Sequence, residues 1–476
     1  MSLLDRLNLG DLFDPGREPD KTALIAADAD GNARHFSYRT LERAITALSS
    51  DLARRGFRRG ARVALLGINS AEYLVAYFAI MRAGLVAVPV NIRLPDGTIH
   101  FILGDAAAEF AFADRARLAA LPSGLTTVPF DSIAIESAPD VRFTTVVPEG
   151  RDVAMILYTS GSTGRPKGVL LSHQGQLWAL RTRLATYREP AAERFLVAAP
   201  LYHMNALFSA KTALMTRASL VLLAGFTPES YIDATVRFRC TVLTSVPTMI
   251  ARVVKDEARL AAADLGSVGR VTMGSAPTTQ ALWDKARAAF PAARLTTGYG
   301  TTEHGPSTFG PHPDGLPTPD LALGYPLPGN EVRLSGGITP DKGVLEVRCP
   351  AVMEDTPICP RRPQRCCATA GTGPAMSCGA AATVSTSLSG GPTTCSSAPA
   401  RTSIPARSRR CWSATRRCTR RASCRWPMRS AARSRSPLSC CVRARTPARP
   451  SSSNSRWGMR RRCSIRAAYS SSRNCR

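Results

Sequence analysis

Residues 158–168 read YTSGSTGRPKG, a turn rich in glycine and hydroxyl side chains that lies between two apolar runs. Glycine lets backbone N–H groups approach phosphate oxygens closely, hydroxyl groups add donors, and Lys167 supplies positive charge to a polyphosphate. A Walker loop would lead into a helix, whereas Gly168 leads into the strand-like run VLL. A flexible hairpin without a ligand is the alternative. The residue types found in order at positions 159–168 favour a phosphate-binding loop that joins two strands.

The chain around this loop alternates between strand-like and helix-like segments. Ser37 is a typical N-cap, apolar residues follow it at helical spacing, and Gly56 suits the end of that helix. Further strands are predicted at 62–67, 86–90, 153–158, 169–171, 219–223 and 242–245, and further helices at 71–82 and 174–185. This alternation predicts a layered α/β body with several subdomains and largely parallel sheets. Residues 305–328, rich in proline and glycine, are predicted to form surface loops.

Three more motifs follow the loop. They are Pro200-Leu201-Tyr202-His203-Met204-Asn205, Gly274-Ser275-Ala276-Pro277 and Gly298-Tyr299-Gly300-Thr301-Thr302-Glu303. In order and spacing, the four motifs together resemble the acyl-adenylate-forming superfamily, which includes acyl-CoA synthetases, adenylation domains of peptide synthetases and firefly luciferase. The resemblance covers about residues 11 to 353. It implies the large N-terminal body of that fold, here assigned to residues 1–353, followed in the family by a mobile C-terminal α+β domain.

The resemblance also implies a role for each motif residue. Those contacting the β- and γ-phosphates of ATP would be Thr159, Ser160, Gly161, Ser162, Thr163, Gly164 and Lys167. Tyr299 would pack on adenine, Thr302 would contact the α-phosphate and Glu303 would bind Mg²⁺. Gly274, Ser275, Ala276 and Pro277 would form the turn at the acyl and nucleotide site. Adenylation develops charge at phosphorus and on pyrophosphate, which positioned cations and N–H donors stabilise.

Single residues of these motifs also have ordinary structural explanations. Glu303 alone would be a solvated carboxylate and Tyr299 a core aromatic residue, and only their motif favours the site. His203 is open between a core histidine and a residue that borders the acyl and thioester-forming pocket. His173 is expected to be structural or exposed, and Cys240 to be a buried small hydrophobic residue without a chemical role.

The charge of the chain is unevenly distributed. The 476 residues carry 62 Lys and Arg against 35 Asp and Glu, a net charge of +27. The first 354 residues hold 37 basic and 34 acidic residues, whereas the last 122 hold 25 Arg, no Lys, one acidic residue and 12 of the 14 cysteines. The two remaining cysteines fit a reduced, cytoplasmic protein. No N-terminal signal pattern and no apolar run of membrane-spanning length is found.

Three explanations fit the arginine-rich tail. A metal module is disfavoured, because the tail contains no His and no C-x-x-C spacing. A nucleic-acid-binding arm would use Arg together with Trp412, Trp426 and Trp457. Such arms are usually rich in Lys as well, so the complete loss of Lys and Glu favours the third explanation, translation in the wrong reading frame.

The frame hypothesis can be tested on the sequence, since GC-rich codons in the wrong register yield Arg, Ala, Pro, Ser and Cys. Joining the third base of each codon to the first two of the next lets residues 370–376 encode W-Y-R-T-G-D and residues 401–407 encode E-N-I-Y-P-G-E. Both resemble downstream motifs of the family. Loss of one base beside Met353 accounts for the change. Residues 354–476 are therefore predicted to form no native domain and to be disordered.

The sequence predicts an ATP- and Mg²⁺-dependent acid–CoA ligase by descent. It would convert a carboxylic acid, with fatty or other hydrophobic acids expected, to an acyl-adenylate and then to a thioester of coenzyme A. In the family, the TGD aspartate binds ribose and a C-terminal lysine serves adenylation. This chain encodes neither in frame, so impaired turnover is expected. A free-standing acyl-AMP ligase and a basic nucleic-acid-binding protein are the alternatives, although no specific nucleic acid is expected. A homodimer is compatible with the sequence.

Overall fold

The computed structural model describes residues 6–12, 18–160, 165–187, 190–335 and 342–354, and the backbone of residues 384–387 and 390–393. Four predicted phosphate-loop residues, Gly161, Ser162, Thr163 and Gly164, lie outside the described residues. The prediction of an out-of-frame, disordered tail also falls outside them, except for Glu354 and the two short backbone segments.

The helices and strands alternate along most of the described chain. The helices are α1 (Tyr38–Arg54), α2 (Ala71–Arg82), α3 (Asp96–Asp105), α4 (His173–Leu184), α5 (Met204–Met215), α6 (Pro228–Arg237), α7 (Pro247–Val253), α8 (Glu257–Ala262) and α9 (Gln280–Ala289). The strands of the first half are β1 (Thr22–Ala27), β2 (Ala33–Ser37), β3 (Arg62–Leu66), β4 (Val86–Pro89), β5 (Ala108–Ala113), β6 (Thr126–Pro129), β7 (Val153–Ser160), β8 (Pro166–Ser172) and β9 (Arg194–Val197). Those of the second half are β10 (Ser219–Leu223), β11 (Val242–Ser245), β12 (Arg270–Gly274), β13 (Arg294–Gly298), β14 (Phe309–Gly310), β15 (Tyr325–Pro326), β16 (Glu331–Ser335), β17 (Lys342–Arg348), β18 (Val384–Ser387) and β19 (Gly390–Thr393).

Two large sheets organise the body. One has six strands in the order β6-β5-β3-β4-β7-β8, and the other has seven in the order β13-β12-β11-β9-β10-β1-β2. Neighbouring strands are parallel in both sheets, except that β8 runs antiparallel to β7 and β2 antiparallel to β1. Smaller antiparallel sheets contain β14-β15 and β16-β17-β18-β19. The predicted layered α/β body with largely parallel sheets is confirmed.

Helix α2 lies at the centre of the core. Every residue from Ala71 to Arg82 is buried, as expected of a helix covered on all sides, and the Ser70 hydroxyl accepts a hydrogen bond from the amide of Tyr73 at its start. Helix α1 packs beside it and begins at Ser37, whose hydroxyl caps the amide of Thr40. Gly56 follows α1 with a φ of +76°. The predicted bounds of both helices are confirmed.

Two predictions need correction. Strand β8 begins at Pro166 rather than near residue 169, because its pairing with β7 continues to the edge of the phosphate turn. The surface loop predicted for residues 305–328 is wrong near its ends, where Ser307 and Thr308 are buried. The Ser307 hydroxyl donates to the carbonyl of Ala179 in α4, and Asn330 Nδ2 donates to the carbonyl of Ser307. Hydrogen bonding of this kind lets polar residues enter the core.

None of the helices in the described ranges combines the length and the apolar character that crossing a bilayer requires.

Candidate functional site

Strands β7 and β8 pair as a hairpin on either side of residues 161–164. Thr159 pairs with Lys167 and Ser160 pairs with Pro166, so these residues lead directly into and out of the turn. Thr159 is half-buried, whereas Ser160 and Lys167 are exposed. The arrangement is strand, turn, strand, as predicted from the sequence, and it differs from the strand, loop and helix of a Walker motif.

Helix α3 contacts this hairpin near residues 161–164. The Tyr158 hydroxyl donates a 2.7 Å hydrogen bond to Asp105 Oδ2 at the end of α3. Burial and the Asp105 carboxylate raise the pKa of Tyr158. The Arg165 guanidinium lies 6.0 Å from the ring centroid of Phe101, also in α3. The sequence analysis did not identify Asp105 or Phe101, because their contacts with the hairpin span more than fifty residues.

The other three motifs follow strands of the seven-stranded sheet. His203 lies beyond β9, Ser275 beyond β12 and Tyr299 beyond β13. The three strands run parallel within that sheet. The carboxyl ends of parallel strands meet at one edge, where α/β proteins usually bind ligands. The fold therefore brings three of the four predicted motifs to a common edge.

The second and third of these motifs begin on paired glycines. Gly274 is opposite Gly298, and a Cβ atom on Gly274 would lie 3.1 Å from the carbonyl oxygen of Gly298. The next residue, Ser275, is exposed and has a φ of +66°, a conformation that is costly for a residue with a Cβ. Ala276 is half-buried and Pro277 is exposed. This turn is close-packed at its start and strained at its exposed serine.

Tyr299 is held by two rings. Its ring stacks on His304 at 5.7 Å between centroids and meets Phe309 edge-on at 5.5 Å. Burial and the nearby Glu303 raise the pKa of Tyr299 to about 12. Within the described part of the chain, the Tyr299 hydroxyl and the hydroxyls of Thr297 and Thr301 are buried without a hydrogen-bond partner. Buried polar atoms are normally satisfied, so these three are suited to a polar ligand or water.

Thr302 and Glu303 are both half-buried. Among the described residues, none places a cation within 4 Å of the Glu303 carboxylate, and no cluster of three or more His, Cys, Asp or Glu could hold a metal ion alone. Mg²⁺ commonly uses one or two carboxylates and completes its shell with substrate phosphates and water. A single carboxylate at Glu303 fits that mode of binding, provided that a polyphosphate is also bound.

His203 lies at the N-cap position of α5 without a side-chain capping hydrogen bond, and it is exposed, with its ring 4.8 Å from that of Tyr202. Surrounding protein and the charge of Arg93 nevertheless lower the pKa of His203. The His203 side chain is exposed to water. This placement excludes the core-histidine explanation. His173, by contrast, is buried, and Cys240 is fully buried with its pKa raised to about 12 by burial.

Asn69 positions the loop before His203. Its Nδ2 donates to the carbonyls of Ala199 and Leu223, each at 3.0 Å, and its Oδ1 accepts from the amide of Leu201 at 2.8 Å. Asn69 follows β3 of the six-stranded sheet, whereas Leu223 ends β10 of the other. Asn69 thus joins the two sheets next to the loop that leads to His203. Sequence analysis missed it, since a single polar residue between a strand and a helix gives no distinctive pattern.

The fold is a layered α/β body with three of the motifs at one sheet edge, and comparison with known proteins identifies the class. A family model described as AMP-binding enzyme matches residues 14–354. The chain belongs to this family of AMP-binding enzymes. The match ends at Glu354, the residue after which the composition of the chain changes.

Individual relatives agree with this assignment. The chain is 33% identical over 332 residues to a feruloyl-CoA synthase from Amycolatopsis sp., covering 67% of this chain and 66% of that protein. An indoleacetate–CoA ligase from Aromatoleum aromaticum is 29% identical over 361 residues, covering 71% of this chain and 69% of the ligase. The crystal structure of apo MatB from Rhodopseudomonas palustris superposes with a TM-score of 0.64 at 30% identity, covering 73% of this chain and 71% of that one. The chain thus matches just under two thirds of the feruloyl-CoA synthase.

Proposed function

We propose that residues 1–353 are the adenylating body of an acid–CoA ligase that uses ATP. The observation that carries this proposal is the meeting of the Gly274 and Gly298 turns at one sheet edge, with the buried hydroxyls of Tyr299 and Thr301 available to a ligand. A family match over residues 14–354 and relatives named as CoA ligases support it.

In the proposed reaction, a carboxylate oxygen of the acid attacks the α-phosphorus of ATP. The bond from that phosphorus to the bridging oxygen breaks, and pyrophosphate leaves. The sulfur of CoA then attacks the acyl carbon, AMP leaves and the thiol proton passes to solvent. The body would contribute mainly orientation and charge stabilisation, which are the largest effects in this kind of chemistry.

Each motif has a place in this scheme. Thr159, Ser160 and Lys167 at the hairpin tip would hold the β- and γ-phosphates, and Tyr299 would pack on adenine. Thr302 would donate to the α-phosphate. Glu303, together with phosphate oxygens, would hold Mg²⁺, which neutralises the charge on the leaving pyrophosphate when it is bound.

The remaining motif residues would face the acid. Gly274, Ser275, Ala276 and Pro277, of which Ser275 and Pro277 are exposed, would form the turn beside the nucleotide. His203, whose side chain is exposed, would border the acid and the entering CoA thiol. A lowered pKa would keep its imidazole neutral near pH 7, which suits a site that receives a carboxylate and a thiol.

The acid is proposed to be hydrophobic. The expectation of a fatty acid stays a prediction, and the relatives that act on feruloyl and indoleacetate groups add aryl acids to the candidates. A panel of ferulate, indoleacetate and a medium-chain fatty acid would separate the two groups.

We further propose that this chain turns over slowly. This chain does not encode in frame the ribose-binding aspartate or the adenylation lysine expected from the family. The end of the family match at that residue supports a frame change there.

The test compares two proteins in acid-dependent ATP–pyrophosphate exchange. One is the 476-residue chain and the other is the frame-restored protein, made by adding one base beside the Met353 codon. Both should bind Mg·ATP, and the chain should exchange roughly 100-fold more slowly, because it lacks groups that stabilise the transition state. Glu303→Gln in the restored protein serves as the inactive control.

Three outcomes would revise the proposal. Normal exchange by the 476-residue chain would refute the impairment. Absence of ATP binding by both proteins would refute the ligase function. Exchange by the restored protein without CoA-dependent release of AMP would identify a free-standing acyl-AMP ligase instead.

A further inference from the structure

Residues 349–354, called here the closing segment, join the two halves of the proposed site. The amide of Met353 donates a 2.6 Å hydrogen bond to the carbonyl of Glu303, and the next amide, that of Glu354, donates a 2.9 Å hydrogen bond to the carbonyl of Leu170. Leu170 belongs to β8 of the phosphate hairpin, whereas Glu303 follows β13 of the other sheet. Two successive amides therefore fix the distance between the hairpin and the nucleotide motif.

The closing segment also packs against helix α4 and against the residue that follows Glu303. A Cβ atom on Gly175 would lie 2.9 Å from the carbonyl oxygen of Pro350, so the segment lies directly against the first turn of α4. Cys349 Sγ lies 3.7 Å from the carbonyl oxygen of His304, the residue after Glu303. The segment thus contacts the carbonyls of two successive residues, Glu303 and His304.

The partly exposed Arg151 side chain also binds the closing segment. Its Nε donates to Glu354 Oε1 at 2.5 Å and its Nη2 donates to the carbonyl of Val352 at 2.9 Å. These two bonds flank Met353, whose amide holds Glu303. Hydrogen bonds from a charged donor are stronger than neutral ones, and the fork of arginine fixes orientation as well.

Arg151 does not belong to any of the four motifs. It precedes β7, and at the rise of an extended strand its backbone lies roughly 30 Å from Ser160 at the phosphate turn. Its side chain is 49% exposed, whereas that of Glu354 is 20% exposed. An effect of Arg151 on nucleotide binding would therefore have to pass through the closing segment.

We infer that Arg151 is a positioning residue, which sets the backbone of Glu303 relative to the phosphate hairpin through the closing segment. This inference rests on the proposed function of Glu303. Without the two Arg151 bonds, residues 352–354 are held only by their backbone amides, and the Glu303 carboxylate is less firmly placed relative to the phosphates with which it would share Mg²⁺.

The experiment measures two quantities in the 476-residue chain and its variants. The first is hydrogen–deuterium exchange of the peptide that contains the Met353 and Glu354 amides. The second is the dissociation constant of ATP with and without Mg²⁺, beside that of AMP without metal. A general loss of structure would weaken the binding of ATP and AMP alike. A misplaced Glu303 would reduce only the increase in ATP affinity that Mg²⁺ confers.

Arg151→Ala should raise exchange in this peptide about tenfold and reduce the Mg²⁺-dependent gain in ATP affinity about three- to tenfold, the range expected for lost charge-assisted hydrogen bonds. AMP binding should stay unchanged. Glu354→Ala should behave in the same way, whereas Glu354→Gln keeps an acceptor for Arg151 and should remain near wild type.

A matched control is Arg259→Ala. Arg259 forms an exposed ion pair with Asp233 at 2.7 Å, away from the closing segment. It should change neither the exchange of the 353–354 peptide nor the Mg²⁺ dependence.

The inference is overturned if Arg151→Ala leaves the Mg²⁺ dependence of ATP affinity unchanged, or if it weakens AMP binding as much as Mg·ATP binding. In either case wild-type ATP binding would leave the proposed function standing. If the wild-type chain binds no ATP at all, both the proposed function and this inference fall.

Discussion

The amide of Leu9 donates a 2.9 Å hydrogen bond to Nδ1 of His173, which lies 164 residues further along the chain. His173 is the first residue of α4 and is buried, with 4% of its surface exposed. The bond requires a neutral ring nitrogen as acceptor. Burial lowers the pKa of His173 to about 4, which keeps the imidazole in that form.

The free energy of unfolding should therefore fall in acid. The pKa of His173 is lower in the folded state than its unfolded value near 6.5, so the unfolded chain binds more protons below that pH. Above pH 6.5 the His173 ring is neutral in both states and does not reduce the free energy of unfolding. As the pH falls from 6.5 towards 4, the free energy of unfolding decreases by up to about 3 kcal/mol. Urea unfolding at pH 7.5, 6.0 and 5.0 measures this slope. His173→Asn, whose side-chain oxygen can accept from Leu9, should flatten it, and an equal slope in both proteins would contradict the assignment.

Lys211→Met should stabilise the protein near neutral pH. Lys211 is completely buried in α5, its Nζ donates to Gln176 Oε1 at 2.9 Å, and burial lowers its pKa to about 7. The folded state thus disfavours the charged ammonium that the unfolded chain carries. Removing this penalty, less the cost of leaving the Gln176 oxygen without its donor, should raise the free energy of unfolding by about 2 kcal/mol.

Chemical denaturation at pH 7 checks this prediction. Lys255→Met, at an exposed lysine, should change the free energy of unfolding by less than about 0.5 kcal/mol. A loss of stability in Lys211→Met would show that the buried amine has favourable contacts that outweigh its desolvation.

Ser275→Gly should also raise stability. Ser275 has a φ of +66°, where a residue with a Cβ atom is strained and glycine is not. The expected gain is about 1 kcal/mol, measured by thermal or urea unfolding. Ser275→Ala keeps the Cβ atom and removes only the hydroxyl, so it should leave stability nearly unchanged. A similar gain in both variants would mean that the hydroxyl, and not the backbone, is the source of the cost.

Truncation after Glu354 should leave a folded body that binds ATP. The described core and the closing segment lie before that point, and the net charge falls from +27 to +3. Association with DNA should be weak, dependent on salt and confined to the full chain, because it would come from the arginine-rich tail. Circular dichroism and fluorescence anisotropy at 50 and 300 mM salt measure both effects. DNA binding of undiminished strength at 300 mM would favour the nucleic-acid-binding alternative.

Features encoded locally could be read from the sequence. Helix α1 was predicted from its cap at Ser37 and its apolar spacing, and the hairpin from the glycines between β7 and β8. The motifs that contain Ser275 and Tyr299 were identified by their resemblance to those of a family, in order and spacing. These signals lie within about ten residues of the features that they predict.

Features that depend on distant partners could not be read in this way. Asn69 looks like an ordinary polar residue until its partners Ala199 and Leu223 are seen, and Ser307 looks like a loop residue until Ala179 satisfies it. The bridge between Leu170 and Glu354 spans 184 residues, so no local pattern could indicate it.

That bridge also has a consequence for the order of events during synthesis. The body can close only when residues 353 and 354 have left the ribosome, since they make the bonds that join Leu170 to Glu303. The 122 residues that follow take roughly 6 to 24 seconds to translate. A body of this kind has time to close while the arginine-rich tail is still being made. A protease that acts on the nascent chain would then meet a folded body with an appended tail, and cleavage of the tail alone would release that body intact.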